Sequence, residues 1–357
     1  VSATFDDVRT KVARMIEEAA LVAPSSPFRV SALWRESLRY LDFIRELSDA
    51  QLRYIRIHTS LITGAYWGDW AHNPARFASS DAEREQLEFM RAYLDLVRDV
   101  PEAYWGDEPI PDEAMRLLGL PYRGRLISQD VLRYQKAITN LYDAGLLGAP
   151  GEPRCYLEIG GGYGGFAHQI ARMVPDATYI IVDLPEMLFW SAVFLRLNNP
   201  TRPLYLYDPE TFTAAQLDTI MGSHGFILLP HYLIERLDTF PIVDVAINML
   251  SMQEMRDSQV HAYCAFLARN VRGWFYSENY ARHVYNDELT TDLYDIFAQY
   301  FLPLPAMKLS EHAGIKHHLW QRYVYLLTPK DQPAAYRPVR PILRGGDYML
   351  TGQAIGS

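Results

Sequence analysis

The densest chemical signal in the chain is the stretch Tyr156-Leu157-Glu158-Ile159-Gly160-Gly161-Gly162-Tyr163-Gly164-Gly165-Phe166. An apolar run passes into a glycine turn, and a helical pattern, AHQIARM, follows. Without Cβ atoms the backbone can turn tightly and let a ligand lie against it. The first turn of the helix behind it offers N–H groups that have no partner within the helix. A second apolar run, Thr178–Val182, ends in Asp183. A carboxylate at that point suits a pair of neighbouring hydroxyls such as those of a ribose. Leu184 and Pro185 come next and are placed to pack on a nucleobase.

Two cofactor classes use such a turn, and this one satisfies both spacings. Gly160, Gly162 and Gly165 fit the dinucleotide pattern GxGxxG. Glu158, Gly160, Gly162 and Gly164 fit the E/D-x-G-x-G-x-G of S-adenosylmethionine (SAM) methyltransferases. Glu158 separates the two by charge. A diphosphate at the turn would be repelled by a nearby carboxylate, whereas the ammonium and sulfonium of SAM would be attracted. Asp183 serves the ribose of either ligand. The sequence therefore favours SAM, with an NAD-dependent oxidoreductase as the alternative enzyme and a non-catalytic SAM-binding partner module as the alternative of another class. A purely structural glycine turn is the weaker reading, because strand, turn and helix follow in the order a nucleotide site needs.

The fourth apolar run, Val243–Met249, is followed by Leu250-Ser251-Met252-Gln253-Glu254. Ligands bind outside the carboxyl ends of parallel strands, so Asn248 and Ser251 become cofactor candidates and Gln253 a substrate candidate. A plainer reading makes Ser251 and Glu254 a helix capping box. After the fifth run, GWFYSEN, the residues Glu278, Asn279 and Tyr280 are placed to touch a substrate, and His283 is the first choice as general base. An imidazole with a pKa near 6.5 suits proton transfer at neutral pH. Glu254 is the second choice, and His317-His318 lies before the last run, RYVYLLTP. His231 follows FILLP, the preferred third strand (LYLY at 204–207 being the alternative), and would flank an adenine. No carboxylate cluster suggests a metal, and the isolated Cys155 and Cys264 suggest no zinc.

The elements that must position these residues divide near residue 150. Residues 1–150 read as an all-helical domain, a lid, substrate or dimerisation unit. Expected helices cover 4–20, a long one from Ser31 with Trp34, Leu38, Leu41, Ile44 and Leu47 on one face, one from Ser80 with Leu87, Met90, Leu94 and Val97 inward, and 128–144. Ala-Tyr-Trp-Gly-Asp occurs at 65–69 and again at 103–107, either as a pair of aromatic turns at a cleft or as two unrelated helix ends. Residues 151–330 alternate short apolar runs with helical stretches, which predicts a parallel sheet with helices on both faces. Residues 331–357 read as an irregular tail.

Of the 357 residues 49% are hydrophobic, enough for a large core. The chain carries 34 basic and 43 acidic residues, a net charge of −9, which disfavours nucleic acid and anionic membranes as partners. Two cysteines and the lack of a long apolar run or signal-peptide pattern point to the cytoplasm and no membrane. The 24 Tyr, 15 Phe and 7 Trp fit a small-molecule pocket and equally a homodimer interface.

LEIGGGYGGFAHQIA, VDLPEML and VDVAINMLSMQEM, in this order and spacing, resemble the bacterial sugar O-methyltransferases that act on deoxysugars of polyether and macrolide natural products. The likeness covers roughly 120–330, and the run N-x-x-S-x-Q-E-M is its more particular part. It implies a Rossmann-like, seven-stranded class I methyltransferase domain with Glu158, Gly160, Gly162, Gly164 and Asp183 in the SAM site. It further implies an acceptor hydroxyl on a sugar or glycosylated metabolite. Asp183-Leu184-Pro185 is also similar to small-molecule O-methyltransferases with helical dimerisation domains, but the His-Asp pair those enzymes carry after strand four is replaced here by Met249–Gln253.

Overall fold

The computed structural model describes residues 5–63, 80–109, 118–148, 152, 154–237, 239–282, 285–303, 307–308 and 322–329. The first part of the chain is helical, with α1 (Asp6–Ala20), α2 (Ala32–Leu41), the single turns α3 (Asp49–Leu52) and α4 (Ser60–Thr63), α5 (Ser80–Val97) and α6 (Gln129–Asp143). Ser31 and Ser128 cap α2 and α6, their hydroxyls accepting from Trp34 N and Val131 N. The long helix expected from Ser31 stops at Leu41, where the chain tightens into a 3-10 stretch, Asp42–Glu46.

Two further expectations change. In α5 the inward face is rotated. Tyr93 and Val97 are buried against Trp105, Ile127 and Val131, while Leu87 is 58% exposed. Phe89 and Met90 pack against the same cluster, so the face that meets the core carries Phe89, Met90, Tyr93 and Val97. A two-stranded hairpin, β1 (Leu120–Tyr122) and β2 (Arg125–Ile127), stands among the helices, turning through Arg123 and Gly124, both at positive φ. Its first strand carries Pro121 and both are only three residues long, so no alternation announced them.

The second part holds β3 (Cys155–Ile159), α7 (Gly165–Met173), β4 (Thr178–Asp183), α8 (Pro185–Asn198), β5 (Leu204–Leu206), α9 (Leu217–Ser223), β6 (Phe226–Pro230), β7 (Val243–Met249), α10 (Asp257–Asn270), β8 (Val271–Tyr280) and α11 (Leu293–Tyr300). The last strands are β9 (Phe301–Pro303), β10 (Met307–Lys308) and β11 (Arg322–Pro329). Six strands run parallel in the order β5-β6-β4-β3-β7-β8, and β11 pairs antiparallel to β8 as the seventh. The short β9 and β10 pair with β11. Both candidates for the third strand are therefore strands. FILLP lies beside β4, and LYL forms the edge beyond it.

Register decides what meets at the carboxyl ends. Ile159 pairs with Val182, Asp183 with Pro230, Glu158 with Ile247 and Met249 with Glu278. The strands thus end level, and the loops after β3, β4, β6 and β7 rise from one rim. Helix α8 is buried from Met187 to Leu195 because it is covered twice, by the sheet and by α1. Helix α1 docks through Val8, Val12 and Met15, and charges ring the contact: Arg196 pairs with Asp7 at 2.8 Å, and Glu18 accepts from Tyr232 at 2.8 Å.

Candidate functional site

The glycine turn after β3 takes a path that side chains rarely follow. Gly160, Gly162 and Gly164 have φ of 75°, 56° and 84°. At Gly160 space adds to conformation, since a Cβ there would come within 2.1 Å of Ser251 Oγ. Asp183, at the end of β4, clasps the turn. Its Oδ2 accepts from Gly162 N–H at 2.8 Å and its Oδ1 from Leu184 N–H at 2.7 Å. Burial pushes this carboxyl up to about 7, against those two N–H donors, which lower it.

The turn and Asp183 open on a cleft. One wall is Gly160, Gly162, Val182, Asp183, Leu184 and Met187. The facing wall is Ser251 and Met255 from the loop after β7, with Gln259 and Tyr263 on α10. The roof comes from the N-terminal part: Val30, Ser31, Trp34 and Ile62. His231 closes one end. It is 2% exposed, with backbone groups of Phe28 and Asp183 against its ring. Burial holds the imidazole down at about 4, so it is neutral at physiological pH.

Glu158 does not line this cleft. It is 2% exposed, accepts from Tyr179 Oη at 2.9 Å, and a Cβ on Gly161 would sit 3.0 Å from its Oε2. Its carboxyl therefore lies beneath the turn. Burial raises it to about 8, with the tyrosine hydroxyl opposing the shift. At neutral pH it keeps its proton, so the charge-based selection expected of it has no charge to act with. Among the described residues, the acid that lines the cleft is Asp183, and Glu254 is bonded to Trp34 of the lining.

The loop after β7 sorts its polar residues. Asn248 is fully buried: Nδ2 donates to Ile159 O at 2.7 Å and to Ser251 Oγ, while Oδ1 accepts from Asn279 Nδ2 at 2.7 Å. Ser251 Oγ also donates to Ile159 O at 3.1 Å. These side chains bind the ends of β3, β7 and β8 together, and of the two only Ser251 reaches the cleft. Gln253 is buried, and its Oε1 accepts from Tyr280 N–H at 2.7 Å. Glu278 is buried at the end of β8, 3.5 Å from Lys136 Nζ and within reach of Tyr276 Oη at 3.3 Å. Gln253, Glu278, Asn279 and Tyr280 therefore surround the strand ends without lining the cleft.

Ser251 makes no side-chain cap, so the capping box is not formed. The Glu254 carboxyl instead accepts from Trp34 Nε1 at 3.0 Å. Desolvation raises it to about 7; the indole N–H and the charge of Arg133 pull it down, and Asp183 pushes it up. His283, His317, His318 and the first Ala-Tyr-Trp-Gly-Asp copy lie outside the described residues. Among the described residues no three His, Cys, Asp or Glu converge as a metal requires, and no helix is long and apolar enough to cross a membrane.

Sequence reasoning missed Trp34, Ile62, Met187, Met255, Gln259 and Tyr263. Nothing local marks Trp34 or Ile62, which reach the cleft only because the N-terminal helices fold over it. Gln259 and Tyr263 had a signal: they lie four apart on the helix that follows the fourth strand, on one face.

No family model and no curated protein matches the chain. Solved structures share part of its architecture. One is the pyocyanin biosynthetic protein PhzM, at 10% identity over 56% of this chain and 57% of that one, with a TM-score of 0.34. TrmN of Thermus thermophilus matches at 13% identity over 54% and 48%, with a TM-score of 0.33. An O-methyltransferase family 2 protein of Planctomyces limnophilus, solved with apigenin, matches at 14% over 49% and 50%, with a TM-score of 0.31. The match spans about half the length of each, and at such identities neither substrate nor reaction transfers. The strand order carries the assignment by itself: a helical N-terminal region followed by a seven-stranded, mostly parallel sheet with a glycine turn after its central strand is the class I SAM-dependent methyltransferase fold.

Proposed function

We propose that the protein is a SAM-dependent O-methyltransferase that methylates a hydroxyl of a sugar or glycosylated small molecule. The observation that carries the reading is the cleft itself. A turn built on three left-handed glycines is clasped by Asp183, and the buried His231 lines the same cleft. Those groups suit an adenosine. The ribose hydroxyls would meet Asp183, the base would lie against Leu184 and Met255, and His231 with Gln259 would meet its polar edge. The methionine half would then pass over Gly160 and Gly162. Burial holds Asp183 and Glu254 near 7, so as they ionise with rising pH they favour a ligand with positive charge over a diphosphate.

Bound SAM supplies a methyl group on a sulfonium, which departs as a neutral thioether when an acceptor oxygen attacks in line. The chain must orient that oxygen and take its proton. Glu254 is the base we assign. Its carboxyl titrates near neutrality and is bonded to Trp34, a residue of the cleft lining. Val30, Trp34 and Ile62 form an apolar roof that excludes water and offers an aromatic face to the carbon side of a sugar. The sugar preference rests on the resemblance of the run after β7.

Titration calorimetry with SAM, S-adenosylhomocysteine and NAD tests the cofactor. SAM and S-adenosylhomocysteine should bind and NAD should not; NAD binding without SAM would replace the reading with an oxidoreductase. An acceptor screen tests the base. Glu254→Gln should abolish turnover while still binding SAM, at the affinity the wild type shows when Glu254 is protonated, whereas His283→Ala should leave both turnover and affinity unchanged. The reverse pattern moves the base to His283, and turnover retained in both variants removes Glu254 from the role.

A further inference from the structure

Trp34 stands far from the cofactor turn in sequence, yet it ends at the cleft. Its indole Nε1 donates to Glu254 Oε2 at 3.0 Å, across 220 residues of chain. The segment that brings it there is tied down around it. Ser31 caps α2 and is itself buried. Arg256, two residues beyond Glu254, donates from Nη2 to Val30 O at 3.0 Å. Ala32 N–H donates to Glu288, whose carboxylate also faces Arg256 at 3.9 Å. The start of α2 and the loop that carries Glu254 are thus joined on both sides of the indole.

We infer that Trp34 is a positioning residue for Glu254, holding Oε2 so that Oε1 is the atom left to take the acceptor's proton. The inference rests on Glu254 being the base. The chemistry of the partner makes it specific. An indole N–H can only donate and does not titrate. Oε2 is therefore kept as an acceptor, and a proton arriving from a hydroxyl lands on Oε1. A hydrogen bond to the carboxylate also favours its charged form. The other charged and titratable groups bearing on this carboxyl are Asp183 at the end of β4, which opposes ionisation, and Arg133 on α6, which assists it. His231 lines the same cleft as a neutral ring, and Arg256 and Glu288 offset one another beside α2. Among the described residues, this donor-only indole is the contact that sets both the orientation of the base and part of its ionisation, and it comes from the N-terminal part of the chain.

The test is a pH titration of the full-length protein labelled with 15N, following the indole N–H resonances. The Trp34 resonance, identified by its loss in Trp34→Phe, should shift with a midpoint near neutrality, and the shift should vanish in Glu254→Gln. SAM affinity, measured across the same pH range, should rise as Glu254 ionises. In Trp34→Phe that rise should move to higher pH by about one unit, a tenfold change in the proton equilibrium. Should Trp34→Phe not fold, the indole resonance that loses its pH response in Glu254→Gln carries the test alone. No indole responding to pH, or an unmoved midpoint in a folded Trp34→Phe, overturns the inference. Failure of the wild-type protein to bind SAM would instead overturn the methyltransferase reading, so the two failures are distinct.

Discussion

The loops that follow β3 and β7 leave adjacent strands and border the same cleft, yet they are built in opposite ways. The loop after β3 presents backbone: three glycines at positive φ lay a bare main chain along the cleft, and the side chain beneath it, Glu158, is turned away. The loop after β7 presents side chains, and most of them point inward. Asn248 and Gln253 are buried and bonded to strand ends, and Ser251 touches both the cleft and Ile159. A ligand lying on the first loop needs close approach, which glycine gives. The second loop carries the base of the proposed reaction, and buried amides bonded on both ends make it stiff.

Four variants press on this contrast, beginning with the largest expected effect. Glu158 titrates near 8 in the fold because it is buried, and near 4.5 when unfolded. The folded state then holds the extra proton between those values, so stability falls as pH rises from about 5 to 8. Glu158→Gln keeps an acceptor for Tyr179 and does not titrate. Urea denaturation should show the variant gaining on the wild type across that window, on the order of 4 kcal/mol by pH 8. Equal slopes would mean that the acid is ionised and faces solvent or ligand. Gly160→Ala combines a positive φ with a contact to Ser251 Oγ, and should cost about 3 kcal/mol of stability. Adding Ser251→Gly should return the steric share but not the conformational one; full recovery would remove backbone conformation from the account.

Asp183→Ala removes the acceptor that clasps Gly162 and faces the cleft. SAM affinity should drop ten- to a hundredfold, about 1.5–3 kcal/mol, by calorimetry. Unchanged affinity would take the ribose away from Asp183. Asn248→Ala should do the opposite. It takes one of two acceptors from the buried amide of Asn279, which keeps Ser277 Oγ, and removes the acceptor of the Met252 N–H, costing about 1–2 kcal/mol of stability, while SAM affinity stays within about threefold. A loss of affinity without a loss of stability would place Asn248 in the binding surface and erase the difference between the loops.

The strand, turn and helix around Gly160, the acid ending β4 and the alternation from Cys155 to Tyr280 were legible because each is a local pattern. The period of apolar residues, the spacing of glycines and the strand-end position of Asp183 survive in one dimension. What was not legible depends on contacts between distant segments. The rotation of α5 toward Tyr93 is set by packing against Trp105 and Ile127. The hairpin at 120–127 is too short to alternate. The polar residues Asn248, Gln253 and Asn279 looked like a site because they follow apolar strands. Their buried hydrogen bonds to neighbouring strand ends account for the same pattern.

The sequence alone determined that a nucleotide-type turn exists and which strand precedes it, because a glycine's conformational freedom and a strand's periodicity are properties of the chain itself. Only the tertiary structure decided which carboxylates face the cleft. Charge depends on solvent access and on partners: the fold removes water from both, setting Glu158 against Tyr179 beneath the turn and Glu254 against an indole supplied from the other end of the chain.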